Sequence, residues 1–151
     1  GHWKLPEWLS DYGSRLADKL HPEDKLRLYT KYHDCGKPYC QVFNEETGRH
    51  HFPNHADVSR HVWRCVGGDD TVGLLIGNDM VIHTATAEEI DRKLKGEWSC
   101  EDSVSLLLAA IAEIHSNSKM FGGVNSVSFK MKLKTVDKRG KRICKYLFSE
   151  T

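Results

Sequence analysis

The sequence has no apolar run near the roughly 18 residues that a membrane-spanning helix needs. It has no Cys-x-x-Cys pair, so a zinc ribbon is excluded. Its five cysteines, at positions 35, 40, 65, 100 and 144, are an odd number, which rules out a complete disulfide framework. Reduced thiols in a cytosol are the simplest reading, so the expected location is cytoplasmic, with no membrane partner. Nothing in it reads as a secretory signal. Internal repeats and low-complexity stretches are missing too, which excludes solenoids and long disordered tails. Net charge is almost absent, at a formal +1.

That small total conceals an uneven distribution. Between Lys130 and Lys145 there are eight basic residues and one acid, Asp137. The other residues carry fourteen basic groups against twenty acidic ones. Such asymmetry suggests a C-terminal surface that could meet a polyanion. The plainer alternative is an edge of solvated lysines.

The length of 151 residues suits one domain with one core. Leu5, Trp8, Leu9, Tyr12, Leu16 and Leu20 fall at helical spacing, with Pro6 fit for a first turn. His21-Pro22 ends that helix, and a second spans about 22–32 until Gly36 and Pro38. Residues 39–53 read as loop. A third helix begins near the cap Asn54 and ends at Gly67-Gly68. Residues 69–83 read as a fourth, 87–95 as a short fifth behind the cap Thr86, and 101–117 as a central apolar helix.

The period then changes. Val127, Phe129, Met131 and Leu133 alternate with Ser128, Lys130 and Lys132, and a second apolar run covers 143–148 beyond Asp137-Lys138-Arg139-Gly140. Alternation about a turn predicts a β-hairpin. The expected architecture is mainly α: a helical bundle over 5–120 and a basic β-hairpin over 124–149, within one domain spanning 1–151.

Polar residues on inward faces carry the chemistry. The stripe of the fourth helix runs Val72, Leu75, Ile76, Asp79, Ile82, His83, and Asp79 and His83 stand four apart. A carboxylate facing a core costs several kcal/mol, roughly, unless something neutralises it. His55 shares a face with Val58 and Val62, and His33 with Leu26 and Tyr29. Three helices aiming ionisable groups inward is how bundles build metal sites. Each residue alone has a plain structural reading, as a core histidine or an i, i+4 ion pair; the metal reading rests on their joint occurrence.

His33-Asp34-Cys35-Gly36-Lys37-Pro38 resembles the His-Asp-x-Gly-Lys-Pro signature of the HD-domain metal-dependent phosphohydrolases. His50-His51-Phe52-Pro53-Asn54-His55-Ala56-Asp57-Val58 is similar to the second histidine motif of the branch attached to bacterial CCA-adding tRNA nucleotidyltransferases. Asp79-Met80-Val81-Ile82-His83-Thr84 resembles that branch's third segment, and Ala112-Glu113-Ile114-His115 lies where the family's final carboxylate falls. The likeness covers about residues 5–120.

The resemblance implies an HD-type bundle and hydrolysis of a phosphomonoester or phosphodiester, such as a 2′,3′-cyclic phosphate, on nucleotides or nucleic-acid ends. His33, Asp34, His55 and Asp79 or His83 would hold one or two divalent ions, with manganese, magnesium, nickel, cobalt, iron and zinc all open. Glu113 or His115 would be the final ligand. Asp34 would serve as general base and Lys37 as the phosphate clamp. His51, Lys138 and Arg139 would contact substrate, the last two from the basic hairpin against RNA. Tyr146, Phe129 or Phe148 could stack on bases, although aromatics on a hairpin face are more often core. Two alternatives stay open: a 5′-mononucleotidase, and a non-catalytic HD module that binds nucleotide or RNA within a larger assembly. Trp8 and Leu9, standing where the family's first histidine falls, motivate the second.

Overall fold

The computed structural model describes residues 4–149. Their helices are α1 (Glu7–Asp18), α2 (Glu23–Tyr32), α3 (Lys37–Cys40), α4 (His55–Cys65), α5 (Asp70–Gly77), α6 (Val81–Thr84), α7 (Ala87–Gly96), α8 (Cys100–Ser116) and α9 (Val127–Phe148). Two short strands, β1 (Val42–Asn44) and β2 (Arg49–His51), lie between α3 and α4, and a 3-10 turn covers Ser118–Phe121. The chain is therefore mainly helical, as expected. No helix among the described residues is long and apolar enough to cross a membrane.

The expected C-terminal hairpin is not there. Residues 127–148 form one continuous helix, α9. Its start is fixed by Ser126, whose hydroxyl accepts from the Phe129 N–H at 3.1 Å. The alternation of Val127, Phe129, Met131 and Leu133 was too short a window for the period. Val127 and Met131 are 74% and 65% exposed, while Phe129, Val136, Ile143 and Phe148 form a buried face at helical spacing. The Asp-Lys-Arg-Gly segment is not a turn. Gly140 lies inside α9, where a Cβ would stand 2.2 Å from Cε2 of Trp8, so its bare backbone is what the indole packs on.

Two compact units make up the chain. One comprises the residues up to His21 and those from Val81 onward; the other is the continuous segment Pro22–Met80.

In the first unit, α9 packs against α1, α6, α7 and α8. Val104, Leu106, Leu107, Ala110, Ile111 and Ile114 of α8 are buried, as are Trp8 and Leu16 of α1. Burying a Leu, Ile or Val side chain contributes about 1.5–3 kcal/mol each. The ends of the helices are fastened by local polar pairs. Thr86 and Glu89 form a capping box at α7, and Ser99 and Asp102 form another at α8. Asp102 also receives the His21 imidazole at 2.7 Å, while the His21 N–H donates to the Ser105 hydroxyl at 3.1 Å. The residue expected only to break a helix is thus tied to the head of the central one.

In the second unit, α5 packs on α2 and α4, and α3 lies against α4. Val72, Leu75 and Ile76 provide the buried face of α5. Asp69 caps that helix, forms an ion pair with Lys25 at 3.0 Å, and accepts the Trp63 indole N–H on its carbonyl at 2.9 Å. The stretch expected to be loop contains the antiparallel β1–β2 ribbon, with Phe43 opposite His50.

The expected fourth helix is interrupted. α5 stops at Gly77, where both the backbone and side-chain N–H groups of Asn78 donate to the Leu74 carbonyl. The chain resumes helical form only at Val81. Asp79 and His83 therefore do not stand one turn apart on a single helix. They also belong to different units.

Candidate metal centre

The His33-Asp34 doublet sits at the C-terminal end of α2. The His33 N–H closes the last helical bond, to the Tyr29 carbonyl at 2.9 Å. The chain then turns tightly: Cys35 donates to the Tyr32 carbonyl at 3.0 Å and Lys37 to the Asp34 carbonyl at 3.0 Å. Gly36 is required here by space rather than by its dihedrals. A Cβ at this position would fall 2.4 Å from the Ser59 amide nitrogen and 2.6 Å from the Val58 carbonyl carbon. The Gly36 N–H donates to the buried Ser59 hydroxyl at 2.9 Å, and the Cys35 thiol donates to the Ser59 carbonyl at 3.4 Å. These contacts pin the end of α2 to the wall of α4.

Both histidines beside Asp34 have their rings set by backbone. Nδ1 of His33 lies 2.8 Å from the Thr30 carbonyl, and Nδ1 of His55 lies 3.2 Å from the Phe52 carbonyl. A carbonyl can only accept, so each Nδ1 carries a proton, and Nε2 is the ring atom left to face the site. Those Nε2 atoms point at Asp34: His33 reaches Oδ2 at 3.3 Å and His55 lies 3.8 Å from Oδ1. The Lys37 ammonium also reaches Oδ2 of Asp34, at 3.1 Å, and rests 5.3 Å from the centre of the Phe52 ring.

Asp79 completes the group. It leaves the end of α5 and is 6% exposed, and the Tyr29 hydroxyl donates to its Oδ1. Because α5 packs on α2, a donor atom from each of His33, Asp34 and Asp79 lies within 4.8 Å of the other two. One imidazole nitrogen and two carboxylates, with a second imidazole beside Asp34, are a donor set that could hold a metal ion. The preset Nδ1–H bonds are the kind of outer contact that orients ligating histidines. The residues present therefore fit a cation on chemistry and on orientation.

The other expected site residues are placed as follows. His83, in α6, meets Glu113 of α8 at 3.5 Å within the first unit. His115 is engaged on both ring nitrogens, with Nδ1 at 2.8 Å from the Ile111 carbonyl and Nε2 accepting from the Lys4 N–H at 3.2 Å. Its ring also stands edge-on to Phe129 at 5.2 Å. That leaves its nitrogens serving the packing of α8. His51 is exposed on β2, opposite Val42. Lys138 is exposed on α9. Arg139 turns its guanidinium to the Ala85 carbonyl, with Nε at 3.1 Å and Nη2 at 2.9 Å, and so caps the end of α6.

Tyr29 is the site residue that the sequence reading passed over. It shared a face with His33, but as an apolar position; nothing in the sequence marks its hydroxyl as the partner of Asp79. Cys35 offers no competing nucleophile. Burial pushes its thiol up, the Asp34 charge adds to this, and the hydrogen bonds around Cys35 offset only part of it.

No family model, curated protein or solved structure matches this chain. The functional reading therefore rests on the residues themselves.

Proposed function

We propose that the chain is a metal-dependent phosphohydrolase of the HD type, acting on nucleotides or nucleic-acid ends. The observation that carries this reading is the convergence of His33, Asp34 and Asp79 within 4.8 Å, in a protein whose doublet runs on as Gly36-Lys37-Pro38. His33, Asp34 and Asp79 would hold a divalent ion, with His55 beside them. Such an ion supplies Lewis acidity and acidified water.

The chain's own residues have distinct tasks. Thr30 and Phe52 hold the two imidazoles by their Nδ1–H groups, so that neither ring turns away. Asp34, half-buried and set between His33, His55 and Lys37, is the proton acceptor. Lys37, whose ammonium lies over the Phe52 ring, provides a point charge for a phosphoryl oxygen. Tyr29 keeps the Asp79 carboxylate in one orientation.

A non-catalytic HD module that binds nucleotide or RNA is the second reading, and Trp8 favours it. The residue that stands near the family's first histidine is a buried core indole whose Nε1–H donates to Asp137 at 3.0 Å.

The test is phosphate release from p-nitrophenyl phosphate and from 2′,3′-cyclic, 2′-, 3′- and 5′-nucleotides, with each divalent metal in turn. Metal-dependent release that falls roughly 10²- to 10⁴-fold in Asp34→Ala supports the enzyme. Preference for 5′-nucleotides would make it a mononucleotidase. No release with any metal, or equal release by Asp34→Ala, leaves only the binding module.

A further inference from the structure

The eight basic residues of α9 divide into two groups. Three are engaged by other elements of the first unit. Lys132 lies over the Phe121 ring at 4.7 Å, Arg139 caps Ala85, and Arg142 forks onto Asp91 at 2.7 and 2.6 Å. The Arg142 guanidinium also holds the Asp91 carboxyl below its ordinary range. The other five are Lys130, Lys134, Lys138, Lys141 and Lys145, all exposed.

Their spacing of 4, 4, 3 and 4 residues puts them on one stripe. At 3.6 residues per turn they fall within an arc of about 80°, and at 1.5 Å per residue they span about 22 Å. The stripe lies away from the face formed by Phe129, Val136, Gly140 and Ile143. The acid facing it from its own helix is Asp137, 3.7 Å from Lys141. Among the described residues, Lys130, Lys134, Lys138 and Lys145 have no ion-pair partner.

A solvated helix face usually mixes signs, because like charges at i, i+4 cost about 0.2–0.5 kcal/mol per pair. Here that cost is repeated along the helix, and Lys130 adds a cation near the positive end of the dipole. A linear row of cations without arginine fits a linear polyanion recognised by its backbone rather than by its bases. Tyr146, 48% exposed and about 100° round the helix from Lys145, flanks the end of the stripe and provides an aromatic face on which an unstacked base can lie.

We propose that the lysine stripe of α9 binds the phosphodiester backbone of a single-stranded nucleic acid, with Tyr146 stacking on one base. This surface belongs to the first unit alone and does not rest on the metal centre or its chemistry.

Fluorescence anisotropy of the full chain with a labelled 20-nucleotide RNA, the matching DNA and the duplex tests it. Phosphatidylserine vesicles form the fourth arm. Single strands are expected to bind with log Kobs falling against log salt with a slope of about −3.5. Lys134→Gln/Lys138→Gln/Lys141→Gln is expected to bring the slope to about −1.4, and Lys130→Gln/Lys145→Gln to move it the same way from the two ends. Tyr146→Ala is expected to weaken single-strand binding about fivefold or more. Substitution of Arg92, Lys93 and Lys95 on α7 by Gln should leave the slope alone. No single-strand binding, an unchanged slope in both stripe variants, an unchanged Kd in Tyr146→Ala, or stripe-dependent binding to vesicles alone would overturn the proposal.

Discussion

Tyr29 donates its hydroxyl to the buried carboxylate of Asp79 across the packing of α2 on α5. The bond joins the middle of one helix to the chain just past another, fifty residues later. Its removal tests how much the centre depends on preorganisation. Tyr29→Phe keeps the ring and deletes the donor. Deleting one partner of a buried hydrogen bond costs about 1–3 kcal/mol, and urea unfolding is expected to show a loss of that size. A loss under about 0.5 kcal/mol, the scale of an ordinary surface substitution, would mean that the bond does not organise the site.

Metal binding should register as stability before any turnover is seen. A ligand at about a hundred times its Kd adds about 2.7 kcal/mol to unfolding. Manganese is expected to raise the thermal midpoint of the parent, and a chelator to reverse the rise. His33→Ala and Asp34→Asn should abolish the response, while His55→Ala should weaken it. An equal rise in all four proteins would place the ion elsewhere.

Gly36 offers a purely steric test of the same corner. A methyl group there meets backbone of α4 rather than a yielding side chain. Gly36→Ala is expected to destabilise by about 1–3 kcal/mol or more. Ser59→Ala, which removes only the acceptor of the Gly36 N–H, should cost about 1 kcal/mol. Chemical denaturation of both variants would check the order, and a milder effect from Gly36→Ala than from Ser59→Ala would contradict it.

The thiols should differ in alkaline solution. Burial pushes Cys144 up to about 11 from an ordinary value of 9.0. The unfolded chain therefore loses this proton first. Stability associated with the neutral thiol is intact below pH 9 and declines between 9 and about 11. Cys35 and Cys100 are raised as well, both chiefly by burial. Cys65 is exposed, with His61 at 3.6 Å. A thiol-reactive dye at pH 8 should label Cys65 first and Cys144 only on unfolding. Early labelling of Cys144 would show that its helix opens readily.

Much of the helical frame was legible because its ends are written in side chains. Pro6 and Pro22 stand immediately before α1 and α2, and the capping residue Thr86 stands before α7. The site was legible in part. His33, Asp34 and Asp79 meet, and the doublet's glycine is explained by the close approach of α4.

What misled the reading was local. Gly77-Asn78 is a helix terminator, but the apolar stripe on either side masked it, and so Asp79 and His83 were joined by a turn that does not exist. Four alternating residues outweighed a 22-residue helix, because its exposed stripe also carries Val127 and Met131. The β1–β2 ribbon is three residues a side and exposed, so it leaves no periodic signal. Tertiary partners such as Tyr29 with Asp79, or His21 with Asp102, have no sequence signature at all.

The unit that carries the candidate metal centre is a continuous segment, whereas the unit that carries α9 is split around it in sequence. Trp8 must find Asp137 across 129 positions before the split unit can close. On a ribosome, Pro22–Met80 is complete while everything from Val81 onward, most of the other unit, has yet to be made. Local contacts form early and distant ones late. The residues around His33 and Asp34 should thus assemble first during synthesis, leaving α1 to wait, amphipathic and unpaired, for α9.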